Sequence, residues 1–279
     1  MIKLIADSGA TSTKWCLLGK GKPKLLYTQG ISPYFLDTQQ IASILKSELL
    51  PKLKKVKIDK LYYYGTGCAN PENASSVNKA IQLVFGKIKI EINHDLTAAA
   101  KALCGNTKGI ACILGTGSGS CYYNGKKIVK SSTGLGFILG DEGSGAFLGK
   151  KVLQHYLYSI FDDSLMAKFN AQFVTTKTEI LESIYKKQMP NRYLASFSVF
   201  LAANRGHFMI ENIIEDGFNE FFYQHLIRYK EIEKIPVHFV GAVSNAFRDV
   251  LQELCNSYGF KLGKIYKDPM QGLIAFHQE

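Results

Sequence analysis

Two segments of the chain repeat one short plan, and this repeat limits the fold more than any other feature of the sequence. In each segment an apolar strand runs into a turn of small residues, a second apolar strand follows, and a Gly-Lys turn ends the segment. The first copy covers residues 4–20 and the second covers residues 111–126. The repeat predicts an internal duplication, in which two α/β domains face each other over a central cleft.

The pattern around each copy predicts the elements that complete the two domains. Predicted strands of the first domain lie at residues 2–6, 14–18, 24–27, 61–64 and 88–92, with helices at 36–53, 71–85 and 95–103. Predicted strands of the second domain lie at 110–114, 120–123, 128–130, 237–240 and 261–266, with helices across 145–229 and at 245–258. A terminal helix is predicted at 270–277. A chain of 279 residues has room for two such domains.

The domain boundary is expected near residue 106. We predict an N-terminal α/β domain at residues 1–106 and a C-terminal α/β domain with a helical insertion at residues 107–268. The last helix, at about residues 269–279, is expected to pack on the N-terminal domain.

The chain is basic, with 34 Lys and Arg against 23 Asp and Glu and a net charge of +11. Such a charge is compatible with binding to nucleic acid, with binding to an anionic small molecule, or with a role in solubility alone. The lysine-rich stretch at residues 46–60 is interrupted by apolar residues, which is typical of a solvated helix face. Zinc-finger spacing, an RNP-like aromatic motif and a basic region before heptads are all missing from the sequence. We therefore expect no nucleic-acid partner.

Membrane and metal roles also lack a pattern in the sequence. No apolar run reaches the roughly 18 residues of a spanning helix, and the first residues do not resemble a signal peptide. We therefore expect a cytoplasmic protein with no membrane partner. The six cysteines form no CxxC pair and the six histidines form no HxxxH motif. Cys16, Cys112 and Cys121 lie in apolar strands, where we expect them to be buried.

The two small-residue turns, at residues 7–13 and 115–119, are candidate phosphate sites. A turn of Gly, Ser and Thr exposes backbone N–H groups that an anion can approach closely. Glycine-rich turns also join strands without any ligand, so each turn alone is weak evidence. The sequence holds no GxxxxGK[ST] motif and no GxGxxG after a strand, so a P-loop and a dinucleotide fold are both unsupported.

Carboxylates follow several of the predicted strands. Asp7 ends the first strand, where it can cap the turn or hold Mg²⁺ beside phosphates. Asp95 follows the strand at residues 88–92, where it can cap a helix or accept a proton from an attacking hydroxyl. Asp141 and Glu142 lie between glycines before a long helix, where they can cap that helix or bind a ligand.

Four motifs together resemble one family. They cover residues 5–14, 93–98, 113–118 and 134–144, and the similarity extends over nearly the whole chain. The chain resembles the N-acetylglucosamine kinase-like sugar kinases of the actin, hexokinase and heat-shock-chaperone ATPase superfamily. The wider group includes the activator ATPases of 2-hydroxyacyl-CoA dehydratases. The resemblance implies two ribonuclease H-like domains, ATP and Mg²⁺ as cofactors, and a sugar as the small-molecule partner; a homodimer is left open.

The resemblance also implies a role for particular residues. Asp95 matches the catalytic base, and Asp7 matches the residue near the metal. The phosphate-binding and adenosine-side positions are Gly9, Ala10, Thr11, Gly115, Thr116, Gly117, Gly241 and Ala242. The sugar-binding positions are Ser32, Ser118, Gly134, Leu135, Gly136 and Asp141.

Two of these positions depart from the family pattern. Ser32 stands where the family has a sugar-binding Asn, and Leu135 stands where it often has Trp. The expected function is transfer of the γ-phosphate of ATP to a hydroxyl of an amino sugar, with N-acetylglucosamine first and N-acetylmuramic acid or a related hexose next. A dehydratase-activator ATPase with an iron–sulfur cluster and a non-catalytic sugar sensor are the two alternatives.

Overall fold

The computed structural model describes residues 1–9, 12–54 and 56–278. The chain divides into two compact units. Unit 1 comprises Met1–Asn106 with Asp268–Glu279, and unit 2 comprises Thr107–Lys267. Within the described residues, every helix is too short or too polar to cross a membrane.

A five-stranded sheet forms the centre of unit 1. Its strands are β1 (Lys3–Ser8), β2 (Ser12–Leu18), β3 (Lys24–Gln29), β4 (Lys60–Gly65) and β5 (Lys89–His94). They lie in the order β3-β2-β1-β4-β5. Strands β1, β2 and β3 pair antiparallel, whereas β1, β4 and β5 pair parallel.

Unit 2 repeats this sheet. Its strands are β6 (Lys108–Leu114), β7 (Ser118–Asn124), β8 (Ile128–Ser131), β9 (Val237–Val240) and β10 (Leu262–Tyr266). Their order is β8-β7-β6-β9-β10, with an antiparallel β6–β7–β8 meander and parallel β6, β9 and β10. Both the order and the strand directions match those of unit 1, so the predicted α/β fold with two domains of one plan is confirmed.

The helices of unit 1 fill the connections between its strands. They are α1 (Thr38–Ile44), α2 (Leu50–Leu53), α3 (Pro71–Phe85) and α4 (Asp95–Cys104). The single helix predicted at residues 36–53 is interrupted by a π-helical turn at Leu45–Leu49. Pro51 does not end the helix, because it lies in the first turn of α2, where a missing N–H costs nothing.

Unit 2 carries a large helical insertion between β8 and β9. Its helices are α5 (Gly136–Leu139), α6 (Gly145–Leu157), α7 (Asp163–Gln172), α8 (Lys177–Tyr185), α9 (Pro190–Ser196), α10 (Val199–Ala203) and α11 (Phe208–Phe221). A π-helical turn, Phe222–Leu226, extends α11. After β9, the helix predicted at residues 245–258 is split at Phe247 into α12 (Ala242–Ala246) and α13 (Arg248–Ser257).

The last helix, α14 (Met270–Gln278), returns to unit 1 and packs against α4. A Cβ at Gly272 would lie 2.2 Å from the Ala102 carbonyl oxygen, so only glycine allows this approach of the two helices. Together α4 and α14 cover one face of the unit 1 sheet, where Ile5 contributes to the core. Leu4 and Ala6 point to the other face, as the alternation of a strand requires.

Candidate functional site

The carboxyl ends of β1, β4 and β5 meet at one edge of the unit 1 sheet. The register places Ser8 opposite Gly65, and Gly65 opposite His94. Asp7 is the second-last residue of β1, and Asp95 directly follows β5 as the first residue of α4. The structure therefore brings the predicted metal residue and the predicted catalytic base to the same edge.

Asp7 lies in a strongly acidic environment. Burial, together with the charges of Asp268 and Asp95, raises the pKa of Asp7 to about 7, and Lys14 partly opposes this shift. A bound divalent cation would favour the ionised carboxylate. Among the described residues, no group of three or more His, Cys, Asp or Glu side chains can hold a metal. Mg²⁺ bound with ATP needs only one or two carboxylates, because phosphates and water complete its shell, so Asp7 fits this role.

Lys14 and Asp268 form an ion pair beside Asp7, with 2.9 Å between Nζ and Oδ2. Lys14 lies opposite Asp7 in the register of β1 and β2. The other carboxylate oxygen of Asp268 accepts a hydrogen bond from the Met270 N–H, at the start of α14. Sequence reasoning missed Asp268. An Asp before Pro269 and an apolar helix signals a helix start, but it does not indicate which strand the helix reaches.

Asp95 does not cap α4. The N-cap position belongs to His94, and Asp95 Oδ1 instead accepts the Leu96 N–H at 2.8 Å. The capping interpretation of Asp95 is therefore wrong. The side chain of Asp95 is 48% exposed, so its second oxygen can reach a ligand. The geometry suits a carboxylate that is held at one oxygen and can accept a proton at the other.

The first phosphate loop follows β1. Gly9 is exposed, and its N–H donates to the Ser12 carbonyl oxygen at 3.1 Å. The Ser8 hydroxyl lies 2.7 Å from the Thr13 hydroxyl and 3.1 Å from the Ile31 carbonyl oxygen. These contacts tie the base of the loop to the chain that leaves β3. The two other predicted phosphate residues, Ala10 and Thr11, lie outside the described residues.

Ser32 follows β3 at the same sheet edge but is only 3% exposed. Its carbonyl oxygen accepts the N–H groups of Phe35 and Leu36, which turns the chain. That turn places Tyr34 over Gly67, where a Cβ would lie 2.7 Å from the tyrosine ring. Tyr34 remains 65% exposed, so it presents an aromatic face at this edge that sequence reasoning did not identify.

The second phosphate loop joins β6 to β7 in unit 2. The N–H of Gly115 donates to the Gly117 carbonyl oxygen at 3.0 Å. The carbonyl oxygens of Gly115 and Thr116 accept the N–H groups of Gly145 and Ala146, at 2.8 and 3.0 Å. The first turn of α6 therefore fixes the loop. The Ser118 hydroxyl is buried and has no hydrogen-bond partner among the described residues.

Asp141 also holds the second phosphate loop. Its Oδ1 accepts the Ser118 N–H at 3.2 Å, and a Cβ at Gly117 would lie 3.0 Å from its Oδ2. Burial raises the pKa of Asp141, and the hydrogen bond from Ser118 opposes this shift. Asp141 adopts a φ of 56°, a left-handed conformation that is uncommon for a residue with a Cβ. Two predicted sugar-binding residues, Ser118 and Asp141, are thus in direct contact.

The other predicted sugar-binding residues of unit 2 lie at and before α5. Gly134 is exposed, Leu135 is 55% exposed, and Gly136 has a φ of 71°. Leu135 lines a cavity of about 400 Å³ together with Glu142 and His225. This stretch is therefore accessible to a ligand and borders the Asp141–Glu142 turn.

The predicted adenosine-side loop contacts the second phosphate loop directly. Gly241 follows β9 with a φ of 136°, and its N–H donates to the Tyr266 carbonyl oxygen at 3.0 Å. A Cβ at this position would lie 2.1 Å from the Leu114 carbonyl oxygen and 3.1 Å from the Gly115 nitrogen. Ala242 then begins α12. Only glycine permits this close approach.

All six cysteines are buried, as the sequence predicts for Cys16, Cys112 and Cys121. Among the histidines, His225 is buried and hydrogen-bonded to Glu142, with 2.9 Å between Nε2 and Oε2. Sequence reasoning treated His225 as a surface or core residue, because no motif relates it to residue 142.

The fold is shared with several solved structures. A candidate N-acetylglucosamine kinase from Porphyromonas gingivalis is 39% identical, with a TM-score of 0.94, over 99% of this chain and 98% of that chain. A candidate N-acetylglucosamine kinase from Chromobacterium violaceum is 18% identical, with a TM-score of 0.75 and the same coverage. A glucokinase of the ROK family from Streptomyces griseus, in complex with glucose and AMPPNP, shares the fold at 12% identity and a TM-score of 0.57, over 100% of this chain and 98% of that chain. No family model and no curated protein matches the chain.

Proposed function

We propose that this chain, which belongs to the N-acetylglucosamine kinase-like sugar kinases and is an ATP-dependent sugar kinase, transfers the γ-phosphate to a hydroxyl of an amino sugar. N-acetylglucosamine is the first candidate acceptor, followed by N-acetylmuramic acid or a related hexose. The observation that carries this proposal is the placement of Asp7 and the half-exposed Asp95 at one sheet edge, each at the carboxyl end of a parallel strand.

In the proposed reaction, the sugar hydroxyl oxygen attacks the γ-phosphorus of ATP and ADP leaves. Asp95 accepts the hydroxyl proton as the oxygen–phosphorus bond forms, which contributes roughly 10²–10⁴-fold to the rate of such steps. The Leu96 N–H holds Asp95 Oδ1 at 2.8 Å and fixes the orientation of the carboxylate. The base is therefore positioned by the first turn of its own helix.

The phosphates would be bound by backbone donors and hydroxyls. We assign the turn after β1 and the turn after β6 to this role, because each follows the central strand of an equivalent sheet. Gly241 and Ala242 would lie on the adenosine side, since Gly241 is packed on Leu114 at the start of the second turn. Mg²⁺, when bound, would neutralise charge on the phosphates, and Asp7 is the residue we assign to it.

Recognition of the sugar would use both polar and aromatic groups. The exposed ring of Tyr34 offers a flat surface at the same edge of the unit 1 sheet as Asp95. We assign to the acceptor the carboxylate of Asp141 and the backbone groups of Gly134 and Gly136. The buried Ser32 would act mainly through the turn that places Tyr34.

A coupled ADP-release assay over a panel of sugars tests this proposal. The panel contains N-acetylglucosamine, N-acetylmuramic acid, glucosamine and glucose, each with Mg²⁺ and ATP and with a no-sugar control. We expect sugar-dependent ADP release with at least one N-acetylated sugar, and mass spectrometry should show a singly phosphorylated product. ATP hydrolysis that no sugar stimulates would contradict the proposal and favour the activator or sensor alternative.

A further inference from the structure

His225 and Glu142 form a buried pair in unit 2 that no step above uses. Their side chains are 9% and 17% exposed, and Nε2 lies 2.9 Å from Oε2. The Nδ1 atom of His225 is buried without a hydrogen-bond partner among the described residues. A buried carboxylate depends strongly on its partner, because an unpaired charge in a protein interior is costly. Glu142 is therefore held in place by His225.

The residues around His225 pack against the turn that contains Glu142. His225 lies in the π-helical turn after α11, and its ring stacks on Phe221 with 4.8 Å between the centroids. Phe221 and Phe218 pack against Gly143, where a Cβ would lie 3.0 Å from the Phe221 side chain. A π-helical turn inside a helix is uncommon and often marks a functional position.

The other side of the same turn holds the second phosphate loop. Asp141 precedes Glu142, and its carboxylate accepts the Ser118 N–H at 3.2 Å. Its carbonyl oxygen accepts the Ser144 N–H at 3.1 Å, which closes the turn before α6. Asp141 is in a left-handed conformation, so the turn needs external support to keep this geometry.

We propose that His225 is a positioning residue for nucleotide binding. It fixes Glu142, and through that residue it holds Asp141 against the loop Gly115–Ser118. This inference rests on the proposed function, since it takes that loop to bind the phosphates of ATP. Loss of the pair frees Glu142 to turn toward solvent, which releases the strained Asp141 turn and loosens the loop.

Two substitutions at one position separate positioning from packing. H225F keeps a ring that can stack on Phe221 but cannot donate to Glu142, whereas H225Q keeps a donor that can reach Glu142. The control is H207F, because His207 also pairs with a carboxylate of unit 2, Asp162, at 2.8 Å. This pair is more exposed, and the His207 ring also caps α11 by accepting the Met209 N–H. Asp162 accepts the Leu165 N–H and caps α7. It therefore supports a helix, whereas Asp141 supports the phosphate loop.

The measurements are AMPPNP affinity by calorimetry and the separate KM values for ATP and sugar. We expect H225F to weaken AMPPNP binding and raise the KM for ATP by about tenfold, as loss of a supporting hydrogen-bond partner commonly does. The KM for sugar should rise as well, because the same turn carries Asp141, which we assign to the acceptor, and H225Q should restore most of both affinities. If H225F does not fold, E142A removes the carboxylate without leaving a buried charge and should weaken ATP binding equally.

Three results would overturn the inference. A folded H225F with wild-type AMPPNP affinity would show that the pair does not act on the loop. An equal loss in H207F would show a general effect on unit 2. Wild-type protein that binds no AMPPNP would refute the proposed function itself, whereas wild-type binding with an unaffected H225F refutes only the role of His225.

Discussion

The two units share one sheet but differ in what their central loops present. In unit 1 the loop after β1 lies next to three carboxylates, Asp7, Asp95 and Asp268, and one lysine, Lys14. In unit 2 the loop after β6 consists of glycines and hydroxyl residues, and its one carboxylate contact, Asp141, accepts a backbone N–H. The two sheets therefore supply two equivalent loops, and among the described residues the first is the one with a cluster of carboxylates beside it.

The difference follows from which elements surround each loop. In unit 1 the acidic residues lie on β1, at the start of α4 after β5, and just before α14. In unit 2 the helical insertion supplies α6, whose first N–H groups bond to Gly115 and Thr116. The comparison teaches that the sheet fixes where the loops lie, while the connections decide their chemistry.

The largest expected effect concerns glycines in the two loops and Gly241, which packs against the second loop. Gly241→Ala should destabilise unit 2 by about 3 kcal/mol or more, because the new methyl group meets the Leu114 carbonyl oxygen at 2.1 Å in a glycine-only conformation. Gly9→Ala and Gly115→Ala should fold normally, since a Cβ at Gly9 meets the Ser12 oxygen at 3.7 Å and one at Gly115 meets nothing within 4 Å. Urea denaturation of the three variants compares them. Equal destabilisation would remove the special role assigned to Gly241.

The next effect is a pH dependence that both units should share. Burial lowers the pKa of His277 in unit 1 and of His238 in unit 2, each to about 4. An unfolded histidine has a pKa near 6.5, so the unfolded chain binds protons first as the pH falls. The contribution of each histidine is therefore complete above about pH 6.5 and is lost toward pH 4, by up to about 3 kcal/mol. In unit 1 the raised pKa of Asp7 acts in the opposite direction over the same range.

Single variants assign this pH dependence to each unit. Hydrogen exchange at pH 7.5 and pH 5 should show a smaller change in β1 for H277Q and in β6 for H238Q. Each variant keeps a side chain that can hydrogen-bond to the partner of the native ring, which is the Tyr64 hydroxyl for His277 and the Lys264 N–H for His238. If either variant reduced the change in exchange between the two pH values equally in both units, the assignment would be contradicted.

The sequence is sufficient to predict the strands and the shared plan of the two sheets, because alternation and small-residue turns are local signals. The binding of phosphate by the two turns stays a prediction. It cannot reveal the contact between Gly241 and Leu114, the pair of His225 with Glu142, or the arrival of Asp268 beside Lys14. Each depends on how distant segments pack. Tyr34 was missed for the same reason, since its exposed position depends on Gly67. The π-helical turns have no local signal that we identify.

Asp7 is the residue that most separates the two loops, and Asp7→Asn tests that difference. The variant keeps the shape of the side chain but removes the charge that we assign to Mg²⁺. We expect kcat to fall by about 10–100-fold, with a higher Mg²⁺ concentration at half-maximal rate. Titration of activity with Mg²⁺ measures both, and Asp141→Asn is the comparison in unit 2. An Asp7→Asn enzyme with an unchanged Mg²⁺ requirement would show that the metal does not depend on Asp7.

The smallest expected effect concerns ion pairs. Asp268→Asn removes the pair with Lys14, whose side chains are 24% and 39% exposed, and Asn can still cap α14. The free energy of unfolding should fall by less than about 1 kcal/mol. Asp249→Asn, which breaks a pair with Arg205 in unit 2, is the matched variant. A loss of several kcal/mol for Asp268→Asn alone would mean that the pair is a main support of unit 1.

The most direct test of the account is the turnover of Asp95→Asn on a sugar that the wild-type enzyme phosphorylates. The control is Asp37→Asn, at the N-cap of α1 in the same unit, where Asn caps as well as Asp. If Asp95 is the base, kcat should fall by about 10²–10⁴-fold while AMPPNP affinity stays at the wild-type value, and Asp37→Asn should be fully active. Turnover of Asp95→Asn near the wild-type rate would contradict the account.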